Sequence, residues 1–168
     1  MEYNDIYDGH RQPTSRIHRR GSSWKQGEYG LVVCVWVYNG RGKLLMTRRA
    51  EGKSFAGTWE NSGGAAKAGE TSLQAIAREL REETGIHADE SEFQLFSQDK
   101  EGHTIYDFYF LKKNVKLEDI VLLPGETDDA RWVSFNEVHA MIRRREICRI
   151  ISNQFLKQEA ALRQLAQV

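Results

Sequence analysis

The chain has 168 residues, with 24 Lys plus Arg against 24 Asp plus Glu, so its formal net charge is zero. That length supports one well-buried core rather than two full domains, and the neutral balance supplies no field that would steer it to nucleic acid or to an acidic membrane surface. The 40% hydrophobic and 29% charged content fits a globular protein, and no apolar run approaches the roughly 20 residues that cross a bilayer.

The amino terminus, MEYNDIYDGH, lacks the basic start and apolar centre of a secretory signal. Cys34 and Cys148 lie too far apart in sequence to form a metal-type pair and read as packing residues. Both features imply cytoplasmic residence. Residues 1–27 are polar and predict an N-terminal arm, with one short strand around Asp5 to Tyr7, packed on a domain of residues 28–168.

The run GLVVCVWVY, Gly30 to Tyr38, is almost continuously β-branched or aromatic and predicts a strand covered on both faces. The turn NGRG leads into LLMTRR and predicts a hairpin. Further strands are expected at Glu92 to Ser97, Thr104 to Leu111 and Ala130 to Ser134. Two helices close the chain, near Phe135 to Arg144 and Ile147 to Ala166, the second with an apolar stripe of Ile147, Ile150, Ile151, Phe155, Leu162 and Leu165. That helix and the arm both offer surfaces for a homodimer.

The most informative segment is GGAAKAGETSLQAIARELREETGI, Gly63 to Ile86. Thr71 or Ser72 caps a helix that runs to Thr84, and Gly85 stops it. At about 100° per residue, Leu73, Ile76, Ala77, Leu80 and Thr84 form one face while Glu79, Glu82 and Glu83 form another. On an arbitrary helix such a triplet is an ordinary solvated face, and Glu83, placed by the periodicity on the exposed face, could be changed to Gln while barely altering the fold. Here it follows a glycine-rich turn able to offer bare backbone to a ligand. Hard divalent cations take one or two carboxylates together with water and substrate phosphate oxygens.

Gly64, Glu70, Arg78-Glu79-Leu80, Glu82-Glu83 and Gly85-Ile86 together match the signature of the Nudix hydrolases, and the chain resembles that family. The resemblance implies an α/β (α+β) fold, an α/β/α sandwich with a mixed β-sheet between helices. It also implies hydrolysis of a diphosphate joined to some group X, with Mg²⁺ or Mn²⁺. Glu79, Glu82 and Glu83 would ligate metal, or one of them would act as general base, and the Gly63 carbonyl would be a further ligand. Arg78 and Glu70 would orient the glutamates. The family also draws its base from distant loops, and in PGETDDARW the candidates are Glu126, Asp128 and Asp129, with Glu126 preferred. The substrate would be a nucleoside diphosphate derivative or another small diphosphate.

The segment LLMTRRAEGKSFAGTWENSGG, Leu44 to Gly64, is similar to that of the isopentenyl diphosphate isomerases, which share the Nudix fold. The arm, through Asp8, Arg11 and Arg16, resembles that of isomerase-like Nudix hydrolases. By this likeness Arg49 and Lys53 would contact the substrate diphosphate. The isomerases use a cysteine shortly after the Asn-Ser, where this chain has Gly63-Gly64, so isomerisation is the secondary expectation. A nucleotide-sensing module without activity is a third. Trp36, Phe55, Trp59, Tyr106, Tyr109 and Phe110 are candidates to line an apolar pocket, and the cluster Arg143 to Arg145 reads as a solvated helix end rather than an RNA site.

Overall fold

The computed structural model describes residues 2–168. In chain order the elements are β1 (Tyr3–Tyr7), β2 (Pro13–Arg19), β3 (Gly30–Tyr38), β4 (Lys43–Arg49), β5 (Trp59–Glu60), β6 (Ser62–Ala65), α1 (Ser72–Thr84), β7 (Gln94–Glu101), β8 (Thr104–Lys112), β9 (Thr127–Ser134), α2 (Phe135–Arg143) and α3 (Arg149–Ala166).

Strand β3 organises the sheet because nearly every side chain on it is buried. Leu31, Val33, Val35 and Val37 face the core beneath α1, with Ile76, Leu80 and Ile86. Trp36 and Tyr38 face the opposite core, with Phe135, Met141, Phe155 and Leu162 of α2 and α3. A strand apolar at successive positions serves two cores at once, and this gives the three-layer arrangement, α1 on one face and α2 with α3 on the other.

The sheet is mixed. β3 runs parallel to β8 from Gly30↔Thr104 to Tyr38↔Lys112, which fills one of its edges. Its other edge is shared: Tyr38 pairs with Leu44 of β4, while Val32 to Val35 pair antiparallel with Ala65 to Ser62 of β6. β4 meanwhile pairs with β9 and with the short β5. The sheet therefore forks beside β3, and the fork opens between the far end of β4 and the glycines of β6.

Several boundaries differ from the sequence expectation. The arm is a two-stranded hairpin rather than a single strand. Asp8 Oδ1 accepts from the backbone N–H groups of His10 and Gln12, and Arg11 takes a left-handed φ of 63°, so the turn is built by side-chain chemistry that no apolar alternation announces. β5 and β6 are unanticipated; both are short, and β6 is half glycine. β9 begins at Thr127, which puts Asp128 and Asp129 in a strand rather than a loop. On α3, Ile150 is exposed instead of joining the stripe, while Gln154 and Gln158 are buried.

The arm docks on the domain through polar ties. Asn4 Nδ2 donates to the Ala66 carbonyl at 2.6 Å. The Gly69 N–H donates to Asp5. Arg11 pairs with Asp107, which also accepts from Ser72 and from Gln98, and Arg16 pairs with Glu28. Arg11, Arg16 and Asp8 thus hold the arm in place. No helix among the described residues is long and apolar enough to cross a membrane.

Candidate active site

Helix α1 is well specified at both ends. Thr71 and Gln74 form a reciprocal capping box, and Gly85 closes the helix at φ 70°. Ala75, Ile76, Leu80 and Thr84 are buried against the sheet, which turns Glu79 and Glu83 toward β6. There the fit is tight. A Cβ on Gly64 would stand 2.5 Å from the Glu79 carboxylate carbon, and one on Gly63 would stand 2.3 Å from the Val33 carbonyl oxygen. Gly64 lets α1 approach β6 this closely, and Gly63 lets β3 do so.

Arg78 is the hub of the carboxylates. It grips Glu70 through two parallel hydrogen bonds, from Nε at 2.6 Å and from Nη2 at 2.8 Å. Its Nη1 donates to Glu79 at 2.8 Å and to Glu82 at 3.1 Å, and its Nη2 reaches the Ala65 carbonyl at 3.3 Å. The three glutamates are not equally wet, contrary to the exposed face expected from helical periodicity. The side chain of Glu82 is 39% exposed and that of Glu79 16%. Glu83 is turned inward, accepting the Gly63 N–H at 3.3 Å.

Burial raises the Glu83 carboxyl well above the ordinary carboxylate range, and the nearby charges of Glu60 and Glu79 add to the rise. Glu79 is also raised by burial, against the pull of Arg78. Glu60 is raised by burial too, opposed by Arg49, which donates to both its carboxylate oxygens at 2.7 and 2.6 Å. Glu60 is the residue that sequence reasoning missed. The signal was a lone carboxylate next to Trp59 in an otherwise apolar two-residue strand.

These groups line one cavity of about 260 Å³. Glu79, Glu82, Glu83 and Gly63 form one side of it; Arg49, Lys53, Glu60 and Glu126 are also on its wall. Lys53 and Glu126 form an ion pair. Glu70 stands behind Arg78 and does not line the cavity. Asp128 is instead engaged with Arg48. Of the aromatic candidates, Trp36, Trp59, Tyr109 and Phe110 are core, whereas Phe55 and Tyr106 line a neighbouring cavity.

Among the described residues no three His, Cys, Asp or Glu side chains already converge to hold one ion; Arg78 binds both Glu79 and Glu82. The donor chemistry nevertheless suits a hard divalent cation: the donors are carboxylate oxygens, and Glu83 is raised by its burial and then by the charges of Glu60 and Glu79, with no cation of the chain bonded to it.

The model of the NUDIX domain matches residues 28–150. A Nudix hydrolase of Listeria monocytogenes is 37% identical over 145 residues, covering 84% of this chain and 85% of that protein. An isopentenyl-diphosphate delta-isomerase of Aromatoleum aromaticum is 29% identical over 133 residues, covering 76% of this chain and 67% of the relative. A crystal structure of a Deinococcus radiodurans protein superposes with a TM-score of 0.72 at 20% identity, covering 88% of this chain and 92% of that one. The chain belongs to the Nudix family, and the class of reaction is hydrolysis of a diphosphate linkage.

Two outcomes follow from the packing and the charges. Gly64→Ala meets only the movable end of Glu79, so it should keep the thermal stability largely intact while weakening Mn²⁺ binding in a titration. Gly63→Ala meets backbone and should lower the melting temperature clearly. Because burial raises the Glu83 carboxyl in the folded protein above its value in the unfolded chain, stability is lost as pH rises above about 4.5. In metal-free melts, Glu83→Gln should therefore gain stability over the wild type as pH climbs from 5 to 8, and wild-type Mg²⁺ affinity should rise over the same interval.

Proposed function

We propose that the cavity binds the diphosphate of its substrate together with Mg²⁺ or Mn²⁺, through Glu79, Glu82, Glu83 and the Gly63 carbonyl. The observation that carries this reading is the convergence of Glu60, Glu79, Glu82 and Glu83 with Gly63 on one cavity, where Glu83 is turned inward to the Gly63 N–H and a cation would favour the ionised carboxylates. When bound, the cation neutralises phosphoryl oxygens and makes water a better nucleophile.

The rest falls to the chain's own residues. Arg78, anchored by Glu70, orients Glu79 and Glu82. Lys53 and Arg49 supply positive charge on the cavity wall, where they engage the diphosphate in exchange for part of their present bonds to Glu126 and Glu60. Glu126 is not held by Arg78 and is our choice for the carboxylate that takes the proton from the attacking water. The substrate is a small molecule, a nucleoside diphosphate derivative or another small diphosphate, and the two free buried cysteines suit a cytoplasmic location.

The likeness to isomerases does not redirect this reading. The chain has glycine at both positions, a Cβ at Gly63 would meet the Val33 backbone and one at Gly64 would displace the Glu79 carboxylate, and Cys34, opposite Gly63 in the β3–β6 register, is buried, which raises its pKa far above the ordinary thiol value. Retention of all three glutamates around one cavity favours catalysis over nucleotide sensing.

With Mg²⁺ or Mn²⁺, the protein should release phosphate or a nucleoside monophosphate from at least one member of a panel of nucleoside di- and triphosphates, nucleotide sugars, dinucleoside polyphosphates, coenzyme A and prenyl diphosphates. Glu83→Gln should lower kcat/KM by more than about a hundredfold, exceeding the roughly 10–100-fold that loss of an orienting partner costs. Full activity in that variant, or an allylic isomer as the sole product from prenyl diphosphate, would contradict the assignment.

A further inference from the structure

Three consecutive residues of β1 hydrogen-bond the loop 66–70, which leads from β6 toward α1 and ends at Glu70. The Tyr3 carbonyl accepts the Ala68 N–H at 2.8 Å. Asn4 Nδ2 donates to the Ala66 carbonyl at 2.6 Å, and Asp5 accepts the Gly69 N–H at 2.8 Å. Asn4 is buried, so its bond to the loop is one that water does not readily replace. The arm also borders the carboxylate cavity, through Glu2, Asn4 and Arg20.

The loop has little of its own to hold it. Ala66, Ala68 and Gly69 carry at most a methyl group, and Gly69 stands at φ 85°. On the sheet side the Ala66 N–H donates to the Leu31 carbonyl at 2.9 Å. Within the loop the Glu70 N–H donates to the Lys67 carbonyl at 3.1 Å, and the Lys67 N–H donates to Glu70 Oε2 at 2.8 Å. That same oxygen accepts from Arg78. Hydrogen bonds weaken steeply once bent, so a slip of the loop would loosen the two-pronged grip of Glu70 on Arg78, and Arg78 in turn holds Glu79 and Glu82.

The arm has fixed points on the sheet from which to brace the loop. Tyr7 and Tyr29 exchange backbone hydrogen bonds of 2.9 and 3.0 Å just before β3 begins, and Arg11 pairs with the buried Asp107 of β8. Resting on the hydrolase reading, we infer that Asn4 and Asp5 are positioning residues of the active site: by fixing loop 66–70 they set Glu70, and through Glu70 and Arg78 they preset Glu79 and Glu82 for the divalent cation. They act through the loop and do not themselves ligate the cation.

Mn²⁺ alone is the probe, titrated by calorimetry into the metal-free full chain at fixed pH. Loss of a group that orients a metal ligand costs roughly 10–100-fold in affinity, and Asp5 stands further out, so Asp5→Ala should weaken Mn²⁺ binding about three- to tenfold. Asn4→Ala should cost at least as much. Asp5→Asn keeps an oxygen for the Gly69 N–H and should restore the wild-type affinity. Arg16→Ala removes the pair with Glu28, away from the loop, and should leave the affinity unchanged. In a Glu70→Ala background, Asp5→Ala should add less than about twofold, because the coupling between them is already cut.

NMR of the metal-free protein gives a second readout. The Arg78 Nε–H resonance, identified by its loss in Arg78→Lys, should shift and broaden in Asp5→Ala and return in Asp5→Asn. Should Asn4→Ala not fold, the Asp5 variants decide. Equal losses in Asp5→Asn and Asp5→Ala, a matching loss in Arg16→Ala, additive losses in the Glu70→Ala background, or an unchanged Arg78 signal and Mn²⁺ affinity in Asp5→Ala would each overturn the inference. If the wild type binds no Mn²⁺, the metal reading behind the proposed function fails, and the Arg78 signal, which needs no metal, still decides whether the arm sets the site.

Discussion

The site depends on the close approach of α1 and of β3 to β6. Gly64 has no room for a side chain because the Glu79 carboxylate occupies that space, and Gly63 has none because β3 lies against it. Everything chemical depends on that contact. It sets two carboxylates of a helix against a strand backbone, at a fork in the sheet where the Gly63 N–H meets Glu83. With larger residues at these positions the helix would still be amphipathic, but its glutamates would stand out in water, where paired charges count for little.

Bringing carboxylates that close to the sheet has an electrostatic cost, and Arg78 and Arg49 offset part of it. Arg78 ties Glu70, Glu79 and Glu82 into one network, and Arg49 clasps Glu60 from the other side. Glu83 is left with backbone and hydroxyl partners rather than a cation, and its proton is correspondingly hard to remove. A site strained in this way is well matched to a divalent cation and poorly matched to a thiol-based proton transfer, since Cys34 is held protonated by the same burial and the same neighbouring charges.

Much of this was legible in the sequence, for identifiable reasons. A strand buried on both faces leaves a continuous apolar run, so Gly30–Tyr38 and the layers either side of it follow directly. Capping residues and helical periodicity locate α1 to within a residue. Periodicity says only which way a side chain points relative to its own helix, however, and Glu83 shows the limit: the neighbour that buries it, β6, is four residues long and half glycine. The arm hairpin escaped for a similar reason. Its turn is held by Asp8 and its docking by Arg11 and Asp107, contacts 96 residues apart that no local pattern encodes. Glu60 acquires meaning only once β5, β6 and α1 are brought together around one cavity.

The central claim is that the α1 glutamates and the β6 backbone together form a cation site for a diphosphate. Anomalous diffraction from crystals grown with Mn²⁺ tests it most directly. The account predicts a manganese peak inside the fork, with carboxylate oxygens of Glu83 and at least one of Glu79 and Glu82 directly bound to it. A fully occupied manganese site elsewhere on the molecule, with Glu83 still turned to the Gly63 N–H and no density in the fork, would contradict it.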